Sequence, residues 1–287
     1  MPPQRITMAT YGGPSISVRY YEALKQHIEA QTGLVVDLLY DTDRLGPSVE
    51  RGDHQHVDVA FTSTRYGLDV QQKGGEAAYV VLPVGPVTAH PDDPTVRDVG
   101  YYSVVVARAD QTYGSTTEFL DLRGSKLAIS DAQSFSSVTA LLNKLKLSGE
   151  NAAFFHTVHK LGSHEACLKS LMEIALEVAV VDNLALHNFL IRHPRAAEKL
   201  KRLHVLGPHP PPPVLVNKRL DEGTRAQILK ALKMLQPQTS DPACQDVLVK
   251  LAPYGVLGFG APEADLFDNA LVMLENCQKL SLDGVYY

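Results

Sequence analysis

Strand-like and helical segments alternate twice along this chain, and this alternation constrains its fold more than any other feature. In the first run, Arg5–Thr10 and Leu34–Tyr40 have the composition of strands. Between them, Ser17–Gly33 carries apolar residues three and four positions apart, which predicts a helix that ends at Gly33. Apolar strands separated by helices favour a largely parallel sheet that is covered by helices.

The alternation restarts at Gly100–Asp110, which is rich in β-branched and aromatic residues and predicts another strand. The sequence therefore predicts an α/β fold of two lobes, each a mainly parallel sheet flanked by helices, with a ligand cleft between the lobes at strand C-termini and helix N-termini. The expected boundaries are residues 1–93 plus 213–287 for lobe 1 and 97–207 for lobe 2, with crossing segments near 87–99 and 206–213.

Charge and hydropathy exclude several classes of protein. The net charge of the 287 residues is −5, and no basic block predicts a nucleic-acid partner. No apolar run approaches the ~18–20 residues that span a bilayer, so no membrane span is expected. The start, MPPQRITMATYGG, lacks a basic region followed by an apolar one. The expected location is cytoplasmic if the chain is full length, and periplasmic or secreted if a leader was removed.

A group of neutral hydroxyls follows the strand SKLAIS in the second run. Ser134, Ser136 and Ser137 lie where this strand gives way to a helix, with no Lys or Arg among them. A helix N-terminus has unpaired backbone N–H groups and a partial positive charge. Together with the hydroxyls, it can bind the oxygens of a phosphate, phosphonate or sulfate-like group. Alternatively Ser134 is a helix N-cap, and the two roles are compatible.

The run DLRGSKLAISDAQSFSSVTALLNKL resembles the helix end, strand, serine loop and helix of the phosphate- and phosphonate-binding substrate-binding proteins of ABC transporters. Further segments are similar to elements of that family in the same order: TGLVVDLLY, VDVAFTS, GYYSVVVARAD, GSHEACLKSLMEIALEVAVVDN and HPPPPVLVNKRL. The resemblance covers nearly the whole chain. It implies the periplasmic-binding-protein type II fold, in which two lobes close on a small anion by a hinge in the crossing segments.

The resemblance also implies site residues. Ser134 and Ser136 match the two flanking hydroxyls of the family's loop, whereas Phe135 replaces its usual Thr. His164 matches a histidine that donates to the anion from the opposite side, and Tyr101 matches a pocket tyrosine. Further candidates lie at strand ends or at a small-residue turn where backbone can approach a ligand: Tyr11, Gly12, Thr62, Ser63, Thr64 and Asp182. For residues 62–64, a helix cap is an equally weighted alternative.

This chain lacks acidic residues at positions where the resemblance to phosphonate-specific members implies them. Asp182 is present, but Leu184 and Ala185 follow it, and the return segment reads HPPPP where an acidic residue is expected. Tyr40 is near the position of the family's early tyrosine, which is replaced around residues 44–46. A ligand amine would have few partners, so a smaller or differently substituted oxyanion is expected.

Other chemistries have less support. His54 and His56 have metal-like spacing, and HTVHKLGSH is rich in histidine, but neither set is completed by other ligands. No Gly-x-Ser-x-Gly or phosphate-loop motif is present. The sequence thus predicts no catalytic residue, cofactor or metal. Two functional hypotheses stay open. One is a transporter-type solute-binding or sensing protein that binds a small oxyanion, with an ABC permease as a possible partner. The other is a cytosolic enzyme or regulator that uses the same cleft for a phosphorylated metabolite.

Overall fold

The computed structural model describes residues 3–10, 16–40, 48–52, 56–111, 119–280 and 282. Within these ranges the strands are β1 (Arg5–Ala9), β2 (Val35–Leu39), β3 (Val59–Phe61), β4 (Tyr79–Val81), β5 (Gly85–Ala89), β6 (Arg97–Val99), β7 (Tyr101–Arg108), β8 (Lys126–Ile129), β9 (Thr157–Lys160), β10 (Val178–Asp182), β11 (Leu200–His209), β12 (Val214–Asn217) and β13 (Gly258–Gly260).

The helices in the same ranges are α1 (Val18–Thr32), α2 (Thr64–Lys73), α3 (Ala140–Leu147), α4 (His164–Met172), α5 (Asn183–Arg192), α6 (Ala196–Lys199), α7 (Glu222–Met234), α8 (Pro242–Leu251) and α9 (Ala264–Cys277). A π-helical turn, Phe135–Thr139, leads directly into α3. Helix α1 ends as its sequence predicts, because Gly33 adopts a left-handed φ of 70° that glycine reaches without steric cost.

The chain divides into two compact units. The first consists of Met1–Ala89, Thr95–Gly100 and Pro210–Ala264, and the second of His90–Pro94, Tyr101–His209 and Asp265–Tyr287. In the first unit the main sheet has the order β2-β1-β3-β12-β4. Strand β1 is parallel to β2 and β3, whereas β12 is antiparallel to β3 and β4.

The second unit contains a sheet with the order β11-β7-β10-β8-β9. Strands β8, β9 and β10 are parallel, and β7 and β11 add an antiparallel pair at the other side. Valines alternate across β7: Val105 lies in the core on one face, and Val104 and Val106 lie in the core on the other. Because both faces are covered, the strand is a continuous apolar run, as the sequence of Gly100–Asp110 predicts.

The C-terminal helix packs differently from the division predicted by the sequence, which put residues 213–287 in one lobe. In the structure, Asp265–Tyr287 belongs to the second unit. Cys277 and Leu282 belong to the apolar core that includes Leu141 and Leu145 of α3. The Lys146 ammonium also donates to the backbone oxygen of Asn276 at 3.1 Å. The packing of α9 near α3 joins residues that are far apart in the sequence, and helical periodicity does not reveal such contacts.

Candidate functional site

Three helix N-termini follow three adjacent parallel strands in the second unit. Strand β8 leads to the turn capped by Ser134, β9 to α4 capped by Ser163, and β10 to α5 capped by Asp182. The pairing of β8 with β9 continues past the strand ends, because Gly162 N–H donates to the Ser130 carbonyl at 2.6 Å. The carboxyl ends of parallel strands share one edge, so the positive ends of these helices lie along it.

The serine loop, which contains Ser134, Ser136 and Ser137, has the geometry of an anion-binding helix start. Ser134 Oγ accepts from Ser137 N–H at 3.1 Å and lies 3.4 Å from Ser136 Oγ. Ser134 N–H donates to the Asp131 carbonyl at 3.1 Å, which closes the turn before the helix. Among the described contacts, the backbone N–H groups of Phe135 and Ser136 have no acceptor, as is usual for a first helical turn. The loop therefore presents hydroxyl and amide donors without a formal cation.

Ser134 is a helix cap, as one of the two interpretations of its sequence predicts. A cap uses the lone pairs of the hydroxyl oxygen, so its hydrogen stays available to donate to another acceptor. The capping and ligand-binding roles are therefore compatible at this position. Ser136 is 3% exposed, and its hydroxyl lies beside that of Ser134.

Ser137, also predicted as a ligand-binding residue, has its hydroxyl engaged inside the unit. Its Oγ donates to the Val180 carbonyl at 2.6 Å and lies 3.0 Å from Ser130 Oγ. Its Oγ is also 3.4 Å from His164 Nδ1. Because a serine hydroxyl has one hydrogen, Ser137 cannot donate to an anion while it donates to Val180. Its side chain instead ties the serine loop to β10.

We expect Ser137→Ala to lower the free energy of unfolding by about 1–3 kcal/mol, because the buried Val180 carbonyl and Ser130 hydroxyl lose a partner. Urea denaturation monitored by circular dichroism measures this change. Ser148→Ala, at the opposite end of the same helical segment, is the matched control and should change stability little. Equal stability of the two variants would contradict the tethering role of Ser137.

The side chains of His164 and Asp182 are in contact beside the loop. His164 Nε2 lies 3.0 Å from Asp182 Oδ2, and the two side chains are 16% and 20% exposed. The other carboxylate oxygen, Asp182 Oδ1, accepts from Ala185 N–H at 2.5 Å and caps α5. Asp182 is thus engaged twice. It orients the His164 ring near the serine loop.

Sequence reasoning did not select one residue that the fold brings to this loop, His209. Its ring lies 5.3 Å from that of Phe135 and 5.4 Å from that of Tyr101, and its Nε2 lies 2.7 Å from Ser103 Oγ. Burial lowers the pKa of His209 to about 3. The sequence signal that could have identified His209 is the HPPPP segment, which stands where an acidic residue was expected. Tyr101 and Tyr102 are both buried, although their side chains leave opposite faces of β7.

The first unit contains the remaining described candidates. Ser63 caps α2, and its hydroxyl donates to Glu50 at 3.1 Å, while the hydroxyl of Thr64 donates to the Pro210 carbonyl at 3.3 Å. The capping interpretation therefore applies to Ser63. Thr62 is fully buried, and its Oγ1 has no hydrogen-bond partner among the described residues. It stays a prediction as a ligand-binding residue.

Several predictions lie outside the described residues: Tyr11, Gly12, His54 and residues 44–46. Among the residues that are described, no three His, Cys, Asp or Glu side chains are grouped so that they can hold a metal ion. None of the described helices is both long enough and apolar enough to span a bilayer.

Residues 6–266 match the profile of the periplasmic substrate-binding proteins of phosphonate ABC transporters. The chain belongs to this family. The match confirms the resemblance seen in the serine loop and in the ordered segments before and after it. It does not favour the alternative hypothesis of a cytosolic enzyme or regulator. No curated protein sequence is a significant match to the chain.

Solved structures support the same fold for the binding protein. PhnD1 from Prochlorococcus marinus, solved with methylphosphonate, has a TM-score of 0.72 and 14% identity, and the match covers 97% of this chain and 100% of PhnD1. The binding component of a phosphonate transporter from Pseudomonas aeruginosa has a TM-score of 0.68 and 16% identity, with 96% of this chain and 87% of that chain covered. XAC2383 from Xanthomonas citri, solved with chloride, has a TM-score of 0.63 and 15% identity over 96% of this chain and 99% of its own. These likenesses confirm the predicted periplasmic-binding-protein type II fold.

Proposed function

We propose that this protein binds a small tetrahedral oxyanion of the phosphonate or phosphate class at the serine loop of its second unit. The observation that carries the proposal is the loop itself. Two neighbouring hydroxyls, Ser134 and Ser136, and two helix-start amides without an acceptor among the described residues point to one class of ligand, an anion with several oxygens. Family membership and the methylphosphonate bound to PhnD1 support the same ligand class.

The charges around the loop favour reversible binding. Hydrogen bonds from neutral donors to an anion are strong, yet they do not add the attraction of a fixed cation. His164 and Asp182, whose Nε2 and Oδ2 atoms lie 3.0 Å apart, form a polar pair beside the loop. Such a site suits a protein that captures a solute and then releases it. We infer that the partner for this release is the permease of an ABC transporter and that the protein acts in the periplasm after removal of a leader.

A panel of anions tests the proposal. Methylphosphonate, phosphate, phosphite and sulfate are compared by thermal shift and then by calorimetry, with planar acetate as the control. A ligand at 100 times its dissociation constant stabilises the folded protein by about 2.7 kcal/mol, so even micromolar binders are visible. We expect at least one tetrahedral oxyanion, and not acetate, to raise the melting temperature in a concentration-dependent way. No response to any of the four anions would contradict the proposed function.

A further inference from the structure

A buried aromatic wall borders the serine loop within the second unit. It is formed by the rings of Phe135, His209 and Tyr101, with His209 between the other two at centroid distances of 5.3 and 5.4 Å. Phe135 is the first residue of the helical turn and lies between Ser134 and Ser136. The wall therefore begins at the residue that separates the two hydroxyls of the proposed anion site.

His209 has one ring nitrogen whose hydrogen-bonding capacity is unused. Its side chain is 1% exposed, and Nδ1 has no partner among the described residues. The other nitrogen, Nε2, lies 2.7 Å from the hydroxyl of Ser103, which is fully buried. In the described contacts that hydroxyl has no other acceptor, so it donates to Nε2 and the ring hydrogen is carried by Nδ1. A buried donor without an acceptor is costly, which points to an acceptor brought by a ligand.

The wall also lacks negative charge. Burial lowers the pKa of His209 to about 3, so its ring is neutral at physiological pH. Asp182, the carboxylate beside the loop, is already bound to His164 and to the N–H of Ala185. Among the described residues of the second unit, a cationic substituent on the ligand would thus lose its hydration without gaining a free counter-charge.

We propose that His209 determines the ligand specificity of this site: its Nδ1–H donates to an oxygen of the bound phosphonate, and the wall of Phe135, His209 and Tyr101 accepts an uncharged organic substituent and disfavours an ammonium group. The inference rests on the proposed function, because it assumes that the serine loop binds the anionic group. It goes further by assigning a class of substituent and a residue that selects it.

A matched pair of ligands tests the preference for an uncharged substituent over an ammonium group. Propylphosphonate and 2-aminoethylphosphonate have nearly the same size and differ in a terminal methyl against an ammonium group. In calorimetry at neutral pH, the unaltered protein should bind propylphosphonate more tightly by roughly tenfold or more, because the ammonium group is desolvated without a partner.

Substitutions at His209 test its role in ligand specificity. His209→Phe keeps an aromatic ring but removes the donor, so affinity for propylphosphonate should fall roughly 10- to 100-fold. His209→Asp adds a negative charge and should shift the affinity ratio toward 2-aminoethylphosphonate by on the order of tenfold. His187→Asp makes the same charge change at an exposed position of the same unit and should leave the ratio unaltered.

A measurement on the unaltered protein guards against variants that fail to fold. With histidine labelled by ¹⁵N, the Nδ1 resonance of His209 should shift when propylphosphonate is added, while that of His187 should not. Equal or tighter binding of 2-aminoethylphosphonate, or an unchanged His209 resonance in the saturated protein, would overturn the inference and leave the proposed function standing. Absence of binding by any phosphonate or phosphate would overturn both.

Discussion

Replacing Ser134 and Ser136 together by alanine should weaken binding of methylphosphonate or phosphate by roughly 100-fold or more. The two hydroxyls lie 3.4 Å apart at the helix start, where both can donate to oxygens of one anion. A hydrogen bond to a charged group contributes about 1.5–3 kcal/mol, and about 1.4 kcal/mol corresponds to a factor of ten in affinity. Calorimetric titration of the double variant against the unaltered protein measures the loss. Ser148→Ala is the control for an alanine substitution in the same helical segment.

The capping role of Ser134 needs to be separated from its role in binding. Ser134→Asp keeps a good N-cap, because aspartate accepts from the first-turn amides as well as serine does. The same carboxylate repels an anion and removes a hydroxyl donor. The variant should therefore keep its melting temperature within a few degrees and lose most of its affinity. If Ser134→Asp bound phosphonate as tightly as the unaltered protein, Ser134 would be a cap alone.

Acid should destabilise the protein through His209. The pKa of this buried imidazole is lowered to about 3, below the value of about 6.5 expected in the unfolded chain. Between these values the unfolded chain binds a proton that the folded protein excludes, so stability is complete above about pH 6.5 and falls as the pH is lowered. For this one group, the free energy of unfolding should fall by about 2 kcal/mol between pH 7 and pH 5.

Urea denaturation at pH 7 and pH 5 tests this expectation when variants are compared. His209→Gln has no group that titrates in this range, so its loss of stability between the two pH values should be smaller by about 2 kcal/mol than that of the unaltered protein. His187→Gln, at an exposed position of the same unit, is the matched control for a histidine-to-glutamine substitution. Parallel pH profiles for His209→Gln and the unaltered protein would show that His209 is not the group responsible.

The elements with local signals were predictable from the sequence. Helix α1 lies between the Ser17 cap and Gly33, and each of these residues affects only the few residues next to it. The serine loop was predictable for the same reason, because strand alternation, a group of hydroxyls and helical periodicity are read in one short window. The ordered set of such windows was also sufficient to indicate the family.

The assignment of each hydroxyl to a partner required the fold. Ser136 and Ser137 are adjacent and of the same residue type, yet Ser137 donates to Val180, which is 43 positions away in the chain. His209 lies against Ser103 from 106 positions away. The C-terminal helix joins the core of the second unit through Cys277, whose thiol lies 3.7 Å from the Thr139 carbonyl, 138 positions away. No local sequence pattern predicts these long-range contacts.

The sequence by itself determined elements such as α1 and β7, because amphipathic helices have a period of 3.6 residues and buried strands are continuous apolar runs. It also determined that neutral donors would lie at a helix start. The tertiary structure alone decided which of these donors are left available, since that depends on which strand is adjacent to the loop. Strand β10 lies next to β8 and engages Ser137, and the end of β11 brings a neutral imidazole beside Phe135. A polar group binds whatever acceptor or donor the packed fold places within about 3 Å of it, and sequence separation does not constrain that choice.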